Sequence, residues 1–181
     1  MIWKLKTIAI LLISIAFAQS DYKSNSDGYK NYHAHNFTLP DLEGRKVSLS
    51  DYKDQIIVLD FWATWCTPCI ASFPAMKEAQ NYFKNKNIDV KFLFIDTWED
   101  LEQDVLINDI KTILKKNNYQ FHVLLDLNSE VVEKYQIEGL PTKIIIGRDG
   151  NVKYMSTGSS GDPNEVVAEL KEIISKINKS E

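Results

Sequence analysis

In Ile56-Ile57-Val58-Leu59-Asp60-Phe61-Trp62-Ala63-Thr64-Trp65-Cys66-Thr67-Pro68-Cys69, two signals sit end to end. Residues 56–63 are apolar apart from Asp60, which is the mark of a strand buried on both faces. Beyond the cysteines, Ile70, Phe73, Met76, Ala79 and Phe83 recur at helical spacing. A buried strand thus runs into a helix, with a Cys-x-x-Cys pair at the junction. There the unpaired N–H groups of the first turn and the helix dipole stabilise a thiolate. Pro68 fits that first turn, where its missing N–H costs nothing. Thr67 and Pro68 are uncharged, so thiolate stabilisation falls to the backbone.

Cys66 and Cys69 are the only cysteines in 181 residues. As a staple they are badly placed: closing so short a loop stabilises by about 2 kcal/mol, against about 4.7 for a loop of 100. As zinc ligands they are half a tetrahedral set, and His33, His35 and His122 stand in no ligand-like spacing, so no metal is expected. Redox exchange remains. Cys66, at the helix start, is the attacking thiolate; Cys69, one turn on, resolves the mixed disulfide. The pair itself is the redox centre, with no further cofactor.

Asp60 interrupts an otherwise apolar strand. Burying a carboxylate costs several kcal/mol unless it is paired or protonated, and burial raises its pKa. A carboxyl tuned in this way, one strand length from the cysteines, can take the proton that Cys69 loses when it attacks. A strand-end residue reaching solvent, or an ion pair with a lysine, is the plainer alternative. Gly139-Leu140-Pro141-Thr142 leads into another strand, with Pro141 either an edge breaker or a cis proline in a tight turn. Trp62 reads as core. Trp65, beside Cys66, reads as an apolar docking face for a partner, with Thr67 and Pro68 on the same surface. His122 heads a strand and reads as packed rather than catalytic; Glu99-Asp100 with Glu102 and Asp104 reads as a solvated helix start.

Outward from this centre the pattern alternates strand and helix. Residues 37–49 form a hairpin around Pro40-Asp41-Leu42-Glu43-Gly44. Val90 to Ile95 is a second buried strand, and a helix covers about 100–116, with Lys115-Lys116 at its end. Phe121 to Leu125 is a strand, and Ser129 caps a short helix through Tyr135. Lys143–Ile146 and Val152–Tyr154 flank the turn Arg148-Asp149-Gly150. Asp162, Pro163 and Glu165 open a last helix, with Val166, Val167, Leu170, Ile173, Ile174 and Ile177 as its buried stripe. Together these predict an α/β fold: a mixed sheet with helices on both faces, in one domain spanning 36–181.

The N-terminus has a different character. Lys4 and Lys6 precede an apolar run from Ile8 to Phe17, and Ala16-Phe17-Ala18 is a small-residue cleavage pattern. This is the layout of a secretory signal peptide over 1–18, too short for a spanning helix, and it implies export to the bacterial periplasm, or to the extracytoplasmic face of the membrane if the signal is uncleaved. Residues 19–35 are polar and read as a linker. The net charge of −4, with 21 basic against 25 acidic residues, excludes an electrostatic footprint for nucleic acid.

Asp60 to Cys69 followed by Gly139-Leu140-Pro141-Thr142 closely resembles the thioredoxin superfamily. The preceding hairpin, the sequence Phe61-Trp62-Ala63-Thr64-Trp65-Cys66, Pro74 five residues past Cys69 and the extra helix near 100–116 resemble its exported TlpA/ResA-like branch. The resemblance implies a thioredoxin fold with Cys66 attacking, Cys69 resolving, and Pro141 in cis. It also implies that the Leu140 backbone pairs with a bound substrate chain. Where that branch often carries Glu three residues after the second cysteine, this chain has Ser72, and its carboxylate comes from the strand, at Asp60. The function implied is reduction of disulfides in exported proteins by a monomer that a membrane thiol donor re-reduces. Two competitors are a peroxiredoxin-like peroxidase and a non-catalytic scaffold or metal carrier. The peroxidase wants Thr or Ser at position 63, where this chain has Ala63.

Overall fold

The computed structural model describes residues 28–181; the signal expected over 1–18 and the start of the polar stretch lie outside the described residues. Eight strands and four α-helices follow: β1 (Gly28–His33), β2 (Thr38–Pro40), β3 (Lys46–Ser48), β4 (Ile56–Trp62), α1 (Thr67–Asn85), β5 (Val90–Thr97), α2 (Gln103–Lys116), β6 (Val123–Asp126), α3 (Glu130–Lys134), β7 (Thr142–Ile146), β8 (Asn151–Thr157) and α4 (Pro163–Ser180). Six strands form one mixed sheet in the order β1-β8-β7-β4-β5-β6, while β2 and β3 make the separate hairpin expected over 37–49. β4, β5 and β6 run parallel, and β7 lies antiparallel against β4. This is a thioredoxin fold.

Period-two alternation along β4 divides the core. Ile56, Val58 and Trp62 pack with the inner faces of α1, α2 and α4, whereas Ile57, Leu59 and Phe61 pack with α3 and the hairpin. On the α1 face Phe73 anchors an aromatic cluster, its ring edge-on to Trp62, Phe94, Tyr119 and Phe121. Phe73 is fully buried, so Phe73→Ala is expected to cost about 3–5 kcal/mol.

Three expectations are corrected. The polar stretch 19–35 is not a linker throughout, because residues 28–33 form β1 and pair with β8 at the edge of the sheet. An edge strand buried on only one side tolerates the polar alternation of Tyr29-Lys30-Asn31-Tyr32-His33, whose residues alternate between half-buried and exposed. The extra helix begins at Gln103 rather than 100, which leaves 98–102 as a loop with Trp98 in the left-handed region (φ 56). Ser129 makes no side-chain cap; the first N–H groups of α3 are taken by Asp126 instead. In α4, Asp162 caps as expected, accepting from the Asn164 N–H at 2.9 Å.

Candidate active site

Cys66 is the N-cap of α1 and Cys69 lies in its first turn, joined to it by a disulfide with the two Cα atoms 5.3 Å apart. The Cys66 N–H donates to the Ala63 carbonyl at 3.1 Å, which closes a turn between strand and helix. The Cys66 Sγ accepts from the Cys69 N–H at 3.3 Å, so the first helical turn points an N–H at the sulfur that would carry negative charge on reduction. Thr67 and Pro68 are exposed, while Cys69 is more deeply covered than Cys66 (1% against 4% exposed). Ser72, where the resembled branch often carries Glu, spends its hydroxyl on the Cys69 carbonyl at 2.7 Å and supplies no charge.

Alternation places Asp60 between Val58 and Trp62, on the face packed by α1. Its carboxylate is buried and neither oxygen has a hydrogen-bond donor. Burial pushes its carboxyl up to about 6, against the opposing pull of the Lys143 ammonium. Lys143 sits directly opposite Asp60 in the β4–β7 register and is 2% exposed. A lysine partner for Asp60 is the plainer alternative raised from the sequence, but nothing there singles out Lys143, which is more than eighty positions away and reads as an ordinary strand residue.

The same register sets Thr142 opposite Phe61, which brings the loop before β7 to the end of the sheet that carries the cysteines. The Leu140–Pro141 bond is cis, and the Thr142 hydroxyl donates to the Gly139 carbonyl at 2.7 Å. Trp65 stands 59% exposed, yet its indole N–H donates to the Trp98 carbonyl at 2.9 Å. Trp62 is core, as expected. His122 precedes β6 at the opposite end of the sheet, near the Tyr52 hydroxyl. Glu99 is no solvated helix start: it accepts from the N–H and the hydroxyl of Thr64. Among the described residues, no group of three His, Cys, Asp or Glu side chains is placed to hold a metal ion. No described helix is long and apolar enough to cross a membrane.

Residues 31–155 match the family model described as AhpC/TSA family. The thiol-disulfide oxidoreductase ResA of Bacillus thuringiensis subsp. konkukian is 35% identical over 119 residues, covering 66% of this chain and 64% of that protein. That of Bacillus subtilis is 31% identical over 126 residues, covering 70% of this chain and 66% of that protein. The chain therefore spans just under two thirds of the length of these curated relatives. A solved structure titled as a putative thiol:disulfide interchange protein DsbE from Chlorobium tepidum superposes with a TM-score of 0.68 at 29% identity, covering 84% of this chain and 99% of that one. The family match takes in both cysteines, Asp60 and the cis-proline loop. The chain belongs to the AhpC/TSA family of the thioredoxin superfamily.

Proposed function

We propose that this protein is an exported thiol–disulfide oxidoreductase that reduces disulfides of exported proteins. The observation that carries the proposal is a Cys-x-x-Cys disulfide at a helix N-terminus, on the sheet face where the buried Asp60 carboxyl has no donor of its own. In the reduced enzyme the Cys66 thiolate attacks one sulfur of the substrate disulfide. That bond breaks, the other substrate sulfur leaves as a thiolate that takes a proton from water, and a mixed disulfide forms on Cys66. Cys69 then gives its proton to the Asp60 carboxylate and attacks the Cys66 Sγ, which forms the Cys66–Cys69 disulfide; the second substrate sulfur leaves as a thiolate that takes a proton from water, and Asp60 returns its proton to solvent. Two electrons pass to the substrate, and a membrane thiol donor returns them. With its carboxyl near 6, Asp60 is mostly ionised at neutral pH yet a better base than an ordinary aspartate. Lys143 keeps it from rising further.

Trp65, Thr67, Pro68, Leu140 and Pro141 form the substrate face, with the Leu140 backbone pairing to the bound chain. The protein acts as a monomer in the bacterial periplasm, delivered there by the signal at 1–18, and needs no metal or added cofactor. A peroxidase is disfavoured, because Ala63 is fully buried and offers only its backbone carbonyl to the Cys66 turn. The test is a Cys69→Ser trap expressed in the native compartment. Mixed disulfides on Cys66 with exported proteins and with a membrane thiol protein are expected; a trap that stays free of adducts in both oxidising and reducing backgrounds overturns the proposal.

A further inference from the structure

The turn that delivers Cys66 is tethered from outside by groups with no part in the exchange steps. Thr64 lies within the turn closed between Ala63 and Cys66, and both of its donors are taken by Glu99: the N–H by one carboxylate oxygen, the hydroxyl by the other at 3.0 Å. One residue on, the Trp65 indole N–H is held by the Trp98 carbonyl at 2.9 Å. Two consecutive residues of the cysteine loop are thus bound to two consecutive residues of the 98–102 loop, and neither loop has regular structure of its own.

Glu99 is backed by a second acid. Asp96, near the end of β5, is 1% exposed, and its Oδ2 finds no donor. Its cross-strand partners are Trp62 of β4 and Leu125 of β6, neither of them charged; Lys143, a buried cation of this face, stands opposite Asp60 on β7, two strands from Asp96. Burial first, then the charge of Glu99 and its hydrogen bond to the acid form, push Asp96 up to about 9, so at neutral pH it is a neutral acid that donates to the Glu99 carboxylate. Holding that proton costs folding stability at neutral pH, since an unfolded aspartate would be ionised. A tether between two solvent-edge loops has no need of so costly a backing unless the position of the turn matters.

We propose that Glu99, seated against Asp96, is a positioning residue of the exchange site: it fixes the Ala63–Cys66 turn and the exposed Trp65 against which a substrate chain docks. The inference rests on the exchange function proposed above. Glu99→Gln keeps the size of the side chain but leaves one acceptor oxygen for the two Thr64 donors. Asp96→Asn keeps a donor toward Glu99 and removes the titration.

The test compares wild type, E99Q and D96N in two measurements. The reduced proteins are assayed on a protein disulfide and on hydroxyethyl disulfide, which needs no docking face. The oxidised proteins, whose cysteines do not titrate, are followed by indole emission across pH. E99Q is expected to reduce the protein disulfide about tenfold more slowly, through a loss of orientation, with a smaller effect on hydroxyethyl disulfide. The wild-type emission is expected to change near pH 9, and D96N to abolish that change. If E99Q does not fold, Thr64→Val, which removes one of the two bonds, carries the same comparison. Equal slowing on both disulfides, unchanged rates, or an alkaline change that persists in D96N overturns the proposal. A wild type that reduces neither disulfide overturns the exchange function itself.

Discussion

On the face of the sheet covered by α3 and the β2–β3 hairpin, two buried aspartates are saturated with donors. Asp126 accepts from the Val131 and Val132 N–H groups at 3.0–3.1 Å. Asp41, in the hairpin turn, accepts from the Glu43 and Arg45 N–H groups and from the Arg45 Nε at 2.7 Å. On the face covered by α1, α2 and α4, Asp60 and Asp96 are buried as deeply, yet three of their four oxygens have no donor. Burial raises the Asp41 carboxyl, but its Arg45 and Glu43 bonds outweigh that and hold it below the usual range; burial keeps the Asp126 carboxyl above that range while its N–H bonds oppose the rise, and for Asp60 nothing but the Lys143 ammonium opposes burial. The saturated pair staples turns together. The donor-poor pair lies on the sheet face whose core includes both cysteines, and buried carboxyls short of donors concentrate at functional sites.

Replacing a carboxyl on each face should therefore have opposite consequences. The largest effect is on rate: Asp60→Asn is expected to slow resolution of the mixed disulfide at pH 7 by about a hundredfold, measured by rapid quench of a preformed adduct on Cys66. An unchanged rate removes Asp60 from the proton path. The same substitution should stabilise the fold. Asp60 titrates near 6 when folded and near 3.8 when unfolded, so the native state binds the extra proton and stability falls as pH rises between those values. At pH 7 the Asn variant should gain up to about 3 kcal/mol in urea unfolding, and the gain should vanish below about pH 4. On the other face, Asp126→Ala strands the Val131 and Val132 N–H groups and is expected to destabilise by about 2 kcal/mol, with exchange unaffected. Should Asp126→Ala stabilise the protein, or Asp60→Asn destabilise it, the contrast between the faces fails.

The sequence made the bare face easier to read than the saturated one. Asp60 was visible because a charge inside Ile56–Ala63 breaks a two-sided apolar run, and the cysteines because they sit where strand period gives way to helix period. Lys143 and Glu99 were not visible. Each acts across the sheet or between loops, on a partner 35 or more residues away, and neither breaks a local pattern. β1 was hidden for a related reason: an edge strand buried on one side has a composition that a linker can share. The cap of α3 was assigned to Ser129 by local rule, while a carboxylate three residues earlier, already fixed at the end of β6, holds those N–H groups.

In the exchange proposed above, Cys66 attacks and Cys69 resolves. Brief treatment of the reduced protein with limiting iodoacetamide near pH 7, followed by peptide mass analysis, tests it most directly. A label confined to Cys66, with Cys69 modified only after unfolding, is the predicted result, because the Cys66 sulfur receives the helix N–H and Cys69 is buried one turn inside. A label on Cys69, or on both cysteines at equal rates, would show that Cys66 is not the attacking thiol.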